Sequence, residues 1–260
     1  MHTLQLRIGE HLIQASGDLQ NLMKMFKKNL LPTSVINEQP DLFIHIKDGY
    51  GVPFVDYSVD MVKEVNRISF RRADYLIEAD SDYKNAYIYA YDDLALKHAL
   101  INLYSSFIVS NNWGLLIHSS CVMDGGKAHI FAGESGAGKS TAAELSYPRE
   151  LLSDEATLVK ITADEITVYN SPFRSEMEMD EVSQLGSLAS INILYQAPYN
   201  ERVALRKSNG FILLMDKVFY WAHDAKETGK IIGLMKLLAN RVPIYELHFQ
   251  KNDTFWELIS

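Results

Sequence analysis

The sequence predicts an α/β protein with a mixed sheet, preceded by a smaller α+β region, and three observations carry that expectation. A glycine-rich segment, Gly133–Thr141, stands between a strand pattern and a helix pattern. Two apolar strands joined by Asp124-Gly125-Gly126 lead straight into it. The first ninety or so residues show short alternating strands around one helical run, a different rhythm. A boundary near residue 94 divides an α+β region, 1–93, from a phosphate-loop domain, 94–260.

In chain order, Leu4, Leu6 and Ile8 alternate with polar residues as in a half-buried strand. Leu19 to Phe26 is helical, and Leu31-Pro32 breaks the run. Strands follow at 42–46, 67–71, 75–78 and 86–91, separated by turn chemistry at Asp48-Gly49-Tyr50-Gly51 and Ser81-Asp82. Leu94, Lys97, Ile101, Tyr104 and Ile108 recur at helical spacing, and Asn111-Asn112 with Gly114 ends that helix. Residues 115–122 form a buried strand. Gly125 and Gly126 reach positive φ cheaply, so a hairpin returns through 127–132. Ala142, Ala143 and Leu145 mark the helix after the loop, and Pro148 stops it early. Further on come strands at 165–169 and 244–249, a surface element at 200–206 and a helix near 226–239. The acidic run 176–181 is an exposed stretch or a loop facing substrate.

Composition narrows the partners. The chain has 260 residues, 47% of them apolar, which is ample for a packed core. Its 25 basic and 33 acidic side chains leave a formal charge of −8 with no Lys/Arg-rich block, so nucleic acid is not an expected partner. No apolar run approaches the ~20 residues that cross a bilayer, so no membrane is expected. Cys121 is the single cysteine. With no signal-peptide pattern at the N-terminus, these features point to a cytoplasmic protein.

The segment Gly133-Glu134-Ser135-Gly136-Ala137-Gly138-Lys139-Ser140 fits G-x-x-x-x-G-K-[ST], with a further hydroxyl at Thr141. Glycines at 136 and 138 let backbone amides converge on an anion, and the helix start adds its dipole. Lys139 then neutralises β- and γ-phosphates, and the Ser140 hydroxyl can hold Mg2+. Downstream, Asp154 and Glu155 follow a short apolar run, at the strand end where a nucleotide fold carries its metal ligand. Asp154 can bind Mg2+, accept a proton from an attacking hydroxyl, or do both in turn. The plainer interpretation of the pair is a polar turn.

Hairpin geometry adds His118. With Gly125-Gly126 as the turn it lies opposite Gly133; with Asp124-Gly125 it lies opposite Phe131. Both registers put it at the loop entrance, where imidazole can orient Asp154 or touch a phosphate oxygen. A histidine inside an apolar strand is otherwise a satisfied core residue.

Together Leu116-Ile117-His118-Ser119-Ser120, the loop 133–141, Leu152-Ser153-Asp154-Glu155 and Ser171-Pro172-Phe173-Arg174 resemble the HPr kinase/phosphorylase catalytic domain. They look most like the shorter relatives that accompany lasso-peptide biosynthesis. That resemblance implies a P-loop kinase core shared with phosphoenolpyruvate carboxykinase. It implies ATP and Mg2+ as cofactors and a serine hydroxyl as acceptor, on a peptide or small protein such as a lasso precursor's C-terminal serine. It makes Asp154 the catalytic acid/base, and a homo-oligomer is compatible with it. Two features depart from the family: Glu155 replaces the second aspartate, and Gln184-Leu185-Gly186-Ser187 stands where a Glu-Ile-Arg-Gly signature is expected. Another cation must then face the transferring phosphoryl group. Arg174 is the better positioned candidate, with Arg202 and Arg206 as alternatives on a surface element. A small-metabolite kinase and a non-catalytic ATP sensor are the competing functions.

Overall fold

Alternating burial organises the N-terminal third as strands. The structure, a computed structural model, describes residues 3–26, 38–175, 185–221 and 224–259. The acidic run 176–181, Leu31-Pro32 and Gln184 lie outside them. Two compact units make up the chain: Met1–Asn111 with Tyr220–Thr228, and Asn112–Phe219 with Gly229–Ser260.

In the first unit, β1 (Thr3–Ile8) and β2 (His11–Gly17) form an antiparallel hairpin closed at Ile8 and His11. A short helix, α1 (Gln20–Met25), precedes β3 (Leu42–Asp48). The strands β4 (Asp60–Lys63), β5 (Arg67–Arg71), β6 (Tyr75–Asp80) and β7 (Asn85–Ala90) complete a sheet ordered β1-β2-β3-β7-β6-β5-β4. The central strands of this sheet bury every second residue and so one face; Leu42, Ile44 and Ile46 of β3, for example, are all buried. The helix α2 (Asp93–Ser110) is capped by the Asp92 carboxylate, which accepts from the Ala95 N–H at 2.9 Å. Two of its buried polar groups pair within the unit: Asn102 Nδ2 donates to the Tyr75 hydroxyl, and the Tyr104 hydroxyl donates to the Ile8 carbonyl.

The second unit corrects the expected architecture. It contains β8 (Gly114–Asp124), β9 (Lys127–Ala132), α3 (Lys139–Leu145), β10 (Leu151–Ser153), β11 (Ala156–Ile161), β12 (Ile166–Tyr169) and β13 (Leu185–Gln196). After these come β14 (Glu201–Ala204), α4 (Lys207–Met215), α5 (Ala225–Arg241, begun in the first unit), β15 (Ile244–Phe249) and a 3₁₀ turn, Asp253–Leu258. Strand β8 pairs with β11, β11 with β12, β12 with β13, β13 with β9, and β9 again with β8. That circuit is a closed five-stranded barrel. The unit is mostly β-sheet with few helices, and the expected α/β core of the HPr kinase/phosphoenolpyruvate carboxykinase type is not its fold.

The reason for the correction is non-local. An α/β layer needs helical crossovers between parallel strands. From Leu151 to Gln196 the described residues instead run strand after strand, and β8–β11–β12–β13 pair antiparallel throughout. Among the described residues of this unit, only β13–β9 and β13–β15 are parallel. The strand before the glycine loop and the helix after it are present as expected. A layer of α3 and the 3₁₀ turn packs on the sheet through Phe131, Ala142, Leu194, Phe249, Phe255 and Trp256. The Trp256 indole N–H donates to Ser146 Oγ at 3.0 Å, pinning the end of α3.

Candidate functional site

The hairpin aims the loop. The first residues after the β8 turn pair as Asp124↔Lys127 and the last as Ser119↔Ala132, which is the register with Gly125-Gly126 at the turn. Gly133 follows at once. A Cβ there would stand 2.8 Å from that of Ala137, so the loop folds tightly on itself, and the Ala137 N–H donates to the Glu134 carbonyl at 3.1 Å. Gly136 and Gly138 have φ of 78° and 102°, in the left-handed region that disfavours other residues. Gly138 also lies on Phe249, whose ring a Cβ would meet at 2.7 Å, and its carbonyl accepts from the Ala142 N–H to open α3. From the end of β13, Gln196 Nε2 donates to the Gly136 carbonyl at 2.7 Å and braces the loop. Ser135 and Ser140 are exposed, and Thr141 is half-buried.

The Lys139 ammonium turns back over this loop and donates to the carbonyls of Gly133 and Glu134, at 3.0 and 3.1 Å. A second ammonium is beside it. Lys217, only 5% exposed, is hydrogen-bonded to the Glu134 carboxylate and to Asp216 at 2.6 Å. Main-chain pairing fixes it: the His118 N–H donates to the Lys217 carbonyl at 2.6 Å, and the Phe219 N–H to that of Leu116 at 2.9 Å. Burial lowers the Lys139 pKa, Lys217 lowers it further, and Glu134 opposes both. Burial also works against a charged Lys217, but its bonds to Asp216 and Glu134 prevail and raise its pKa.

His118 stands within the field of both cations. Burial, then Lys139 and Lys217, push its pKa down to about 4 against the pull of Glu134, so the ring is neutral at pH 7. It packs on Phe219, with ring centroids 5.4 Å apart.

The acid pair lies on the other side of β8. Both β10 and β11 pair with that strand, with a register shift at Leu151/Ser153, and Asp154-Glu155 occupies the break between them. The break is held by buried hydroxyls: Thr157 Oγ1 donates to the Ser119 carbonyl at 3.1 Å, while the Ser119 N–H donates to the Glu155 carbonyl at 3.1 Å. Asp154 is 4% exposed and Glu155 half-buried. Flanking β8 on either side puts the pair and β9 about 10 Å apart by ordinary strand spacing. Residues 118–120 are the link: Ser120 Oγ donates to the Lys139 carbonyl at 3.0 Å. Among the described residues no group of three or more His, Cys, Asp or Glu side chains is arranged to hold a metal ion.

Arg174 joins the Asp154 side of the site. Its Nη2 donates to the Leu151 carbonyl and to Asn170 Oδ1, its Nη1 is buried with no hydrogen-bond partner, and burial lowers its pKa against the charge of Asp154. Ser175 donates to Asp154 twice over, from its N–H to both oxygens at 3.2 Å and from its hydroxyl to Oδ2 at 2.7 Å. Arg202 is engaged elsewhere, with Asn192, the Leu258 carbonyl and the Tyr245 ring. Sequence reading missed Lys217, Ser175 and Gln196. Lys217 follows the apolar run of α4 and lies 83 residues from Glu134, so no local pattern signals it.

A family model describing the SynChlorMet cassette protein ScmC matches residues 90–260, well over half of the chain. The chain belongs to that family. A comparison with curated proteins finds no match. The expected membership of the HPr kinase family is therefore corrected. That resemblance rested on four short pieces around the loop and the acid pair, and a phosphate-binding loop constrains only its own few residues. The lasso-precursor acceptor came from the resemblance alone and leaves with it.

Proposed function

We propose that this ScmC family protein binds ATP with Mg2+ at the loop and transfers the γ-phosphoryl group to a serine hydroxyl of a peptide or small protein. One observation carries it: a glycine loop with two left-handed glycines, roofed by the Lys139 ammonium, lies across one strand from a buried aspartate. The residues present suit the ligands. Gly136 has open space where a Cβ would stand, and two lysines offset the phosphate charge. Ser140, Asp154 and Glu155 are oxygen donors of the kind Mg2+ takes. When bound, the ion spreads and neutralises charge on the phosphate oxygens.

The chain's own groups do the rest. Loop amides and Lys139 hold the phosphates, Lys217 adds a second positive charge, and neutral His118 lines the entrance. Asp154 accepts the proton as the serine oxygen attacks. A cytoplasmic location belongs to the same proposal; Cys121 is buried as a free thiol, and no helix among the described residues is long and apolar enough to cross a membrane.

The family description speaks of a cassette, so products encoded with this chain are the first acceptors to test. Incubation with γ-labelled ATP and Mg2+ should label a serine-containing peptide from that set and leave free serine unlabelled. Label on a small hydroxylated metabolite, or ATP binding with no transfer to any acceptor, would overturn the proposal. A companion expectation concerns Lys217→Met. Glu134 and Asp216 are largely exposed and stay solvated without it, so the fold tolerates the change. ATP affinity should fall about tenfold, the ~1.4 kcal/mol scale of one lost charge contact, as read by titration calorimetry.

A further inference from the structure

Ser175 stands where an acceptor hydroxyl would stand. It is exposed, yet its Oγ lies 2.7 Å from Asp154 Oδ2, within the reach that general-base catalysis requires. The segment before it is tied to β10. The Ser171 N–H donates to the Leu152 carbonyl at 2.9 Å, the Phe173 ring is buried, and Arg174 donates to the Leu151 carbonyl at 2.9 Å. These ties hold the hydroxyl on the carboxylate from a neighbouring strand end. A second observation is the buried Nη1 of Arg174, a donor with no acceptor in the adjacent residue.

We propose that the protein phosphorylates its own Ser175 from bound nucleotide, an inference that rests on the phosphotransfer proposal above. The Ser175 Oγ–P bond forms as the bond from Pγ to the β,γ-bridging oxygen breaks. ADP leaves with that electron pair, and the serine proton passes to Asp154 and then to water. The product is a phosphoserine dianion beside the Asp154 carboxylate, which repels it, and beside the Arg174 guanidinium, which supplies charge-assisted donors. Phosphorylation thus exchanges the Asp154 contact for one to Arg174 and withdraws the internal hydroxyl from the base.

The test is intact mass and peptide mapping of the full chain after incubation with Mg-ATP, alongside nucleotide binding by calorimetry. One phosphoryl group should appear on Ser175, at a rate per chain unchanged on dilution. Ser175→Ala should bind ATP with wild-type affinity and take up no phosphate, whereas Ser175→Thr, which keeps a hydroxyl, should take it up. If ATP binds and an external serine is labelled while Ser175 stays bare, self-phosphorylation is wrong and the phosphotransfer proposal stands. Absence of ATP binding overturns both. Phosphate on another residue, undiminished uptake by Ser175→Ala, or a rate that falls on dilution also overturns it.

Discussion

Lys139→Ala should lower ATP affinity about a hundredfold or more and bring phosphoryl transfer below detection. The ammonium turns back over the loop, hydrogen-bonded to the Gly133 and Glu134 carbonyls at 3.0 and 3.1 Å. A triphosphate oxygen is a stronger acceptor than a peptide carbonyl, and a charge-assisted bond in a half-buried site stabilises by about 3 kcal/mol, two decades of affinity. Its pKa is already depressed, by burial and then by Lys217, so a bound polyanion restores what burial costs the charge. That gain is made only in the complex. In the free protein, the two carbonyls that Lys139 serves belong to a loop of which Glu134 is exposed, so water can replace the ammonium. The melting temperature should therefore move little while calorimetric binding collapses. A variant that binds ATP within a factor of two of wild type would remove the loop as the nucleotide site.

The two left-handed glycines explain why so much of this loop was legible in the sequence. Only glycine is comfortable at φ of 78° and 102°, so the local conformation is written at Gly136 and Gly138 themselves. The hairpin was legible for the same reason: Gly125 and Gly126 take φ of 54° and 78°, which sets the register and brings His118 to the loop. Fold class is a different kind of property. It depends on β13 pairing parallel with β9 after 52 residues of intervening chain and so closing the ring, and no residue near either strand encodes that partner choice. Lys217 illustrates the same limit within the site. Its position comes from main-chain pairing with Leu116 and His118, which side-chain type does not announce. Ser175 sits one residue beyond the segment Ser171–Arg174. Its hydroxyl is placed by the bonds of that segment to the Leu151 and Leu152 carbonyls, which no local sequence pattern announces.

Asp154→Asn should leave ATP binding within severalfold of wild type and lower turnover by about a hundred- to ten-thousandfold, the usual contribution of a positioned base. The substitution keeps the side-chain shape and one acceptor oxygen. It removes the capacity to take a proton and replaces the other oxygen with a donor. Ser175 then loses part of its pairing, since its N–H reaches both oxygens and its hydroxyl donates to Oδ2. Losing one such hydrogen bond costs about 1 kcal/mol, a few degrees in melting temperature for a chain of this size. Binding should hold because the site loses a negative charge, which does not oppose a polyanion. Turnover and affinity therefore separate in this variant, whereas they fall together in Lys139→Ala. Glu155, half-buried on the same break, is the carboxylate adjacent in sequence, but it does not substitute for Asp154. Its carbonyl is fixed by the Ser119 N–H, so it cannot slide into register with Asp154 without breaking β8 pairing. Single-turnover rates for Asp154→Asn near those of wild type would deny Asp154 the role of base and assign the proton to another acceptor. Loss of turnover with Ser175 also left unphosphorylated would tie both transfers to one carboxylate.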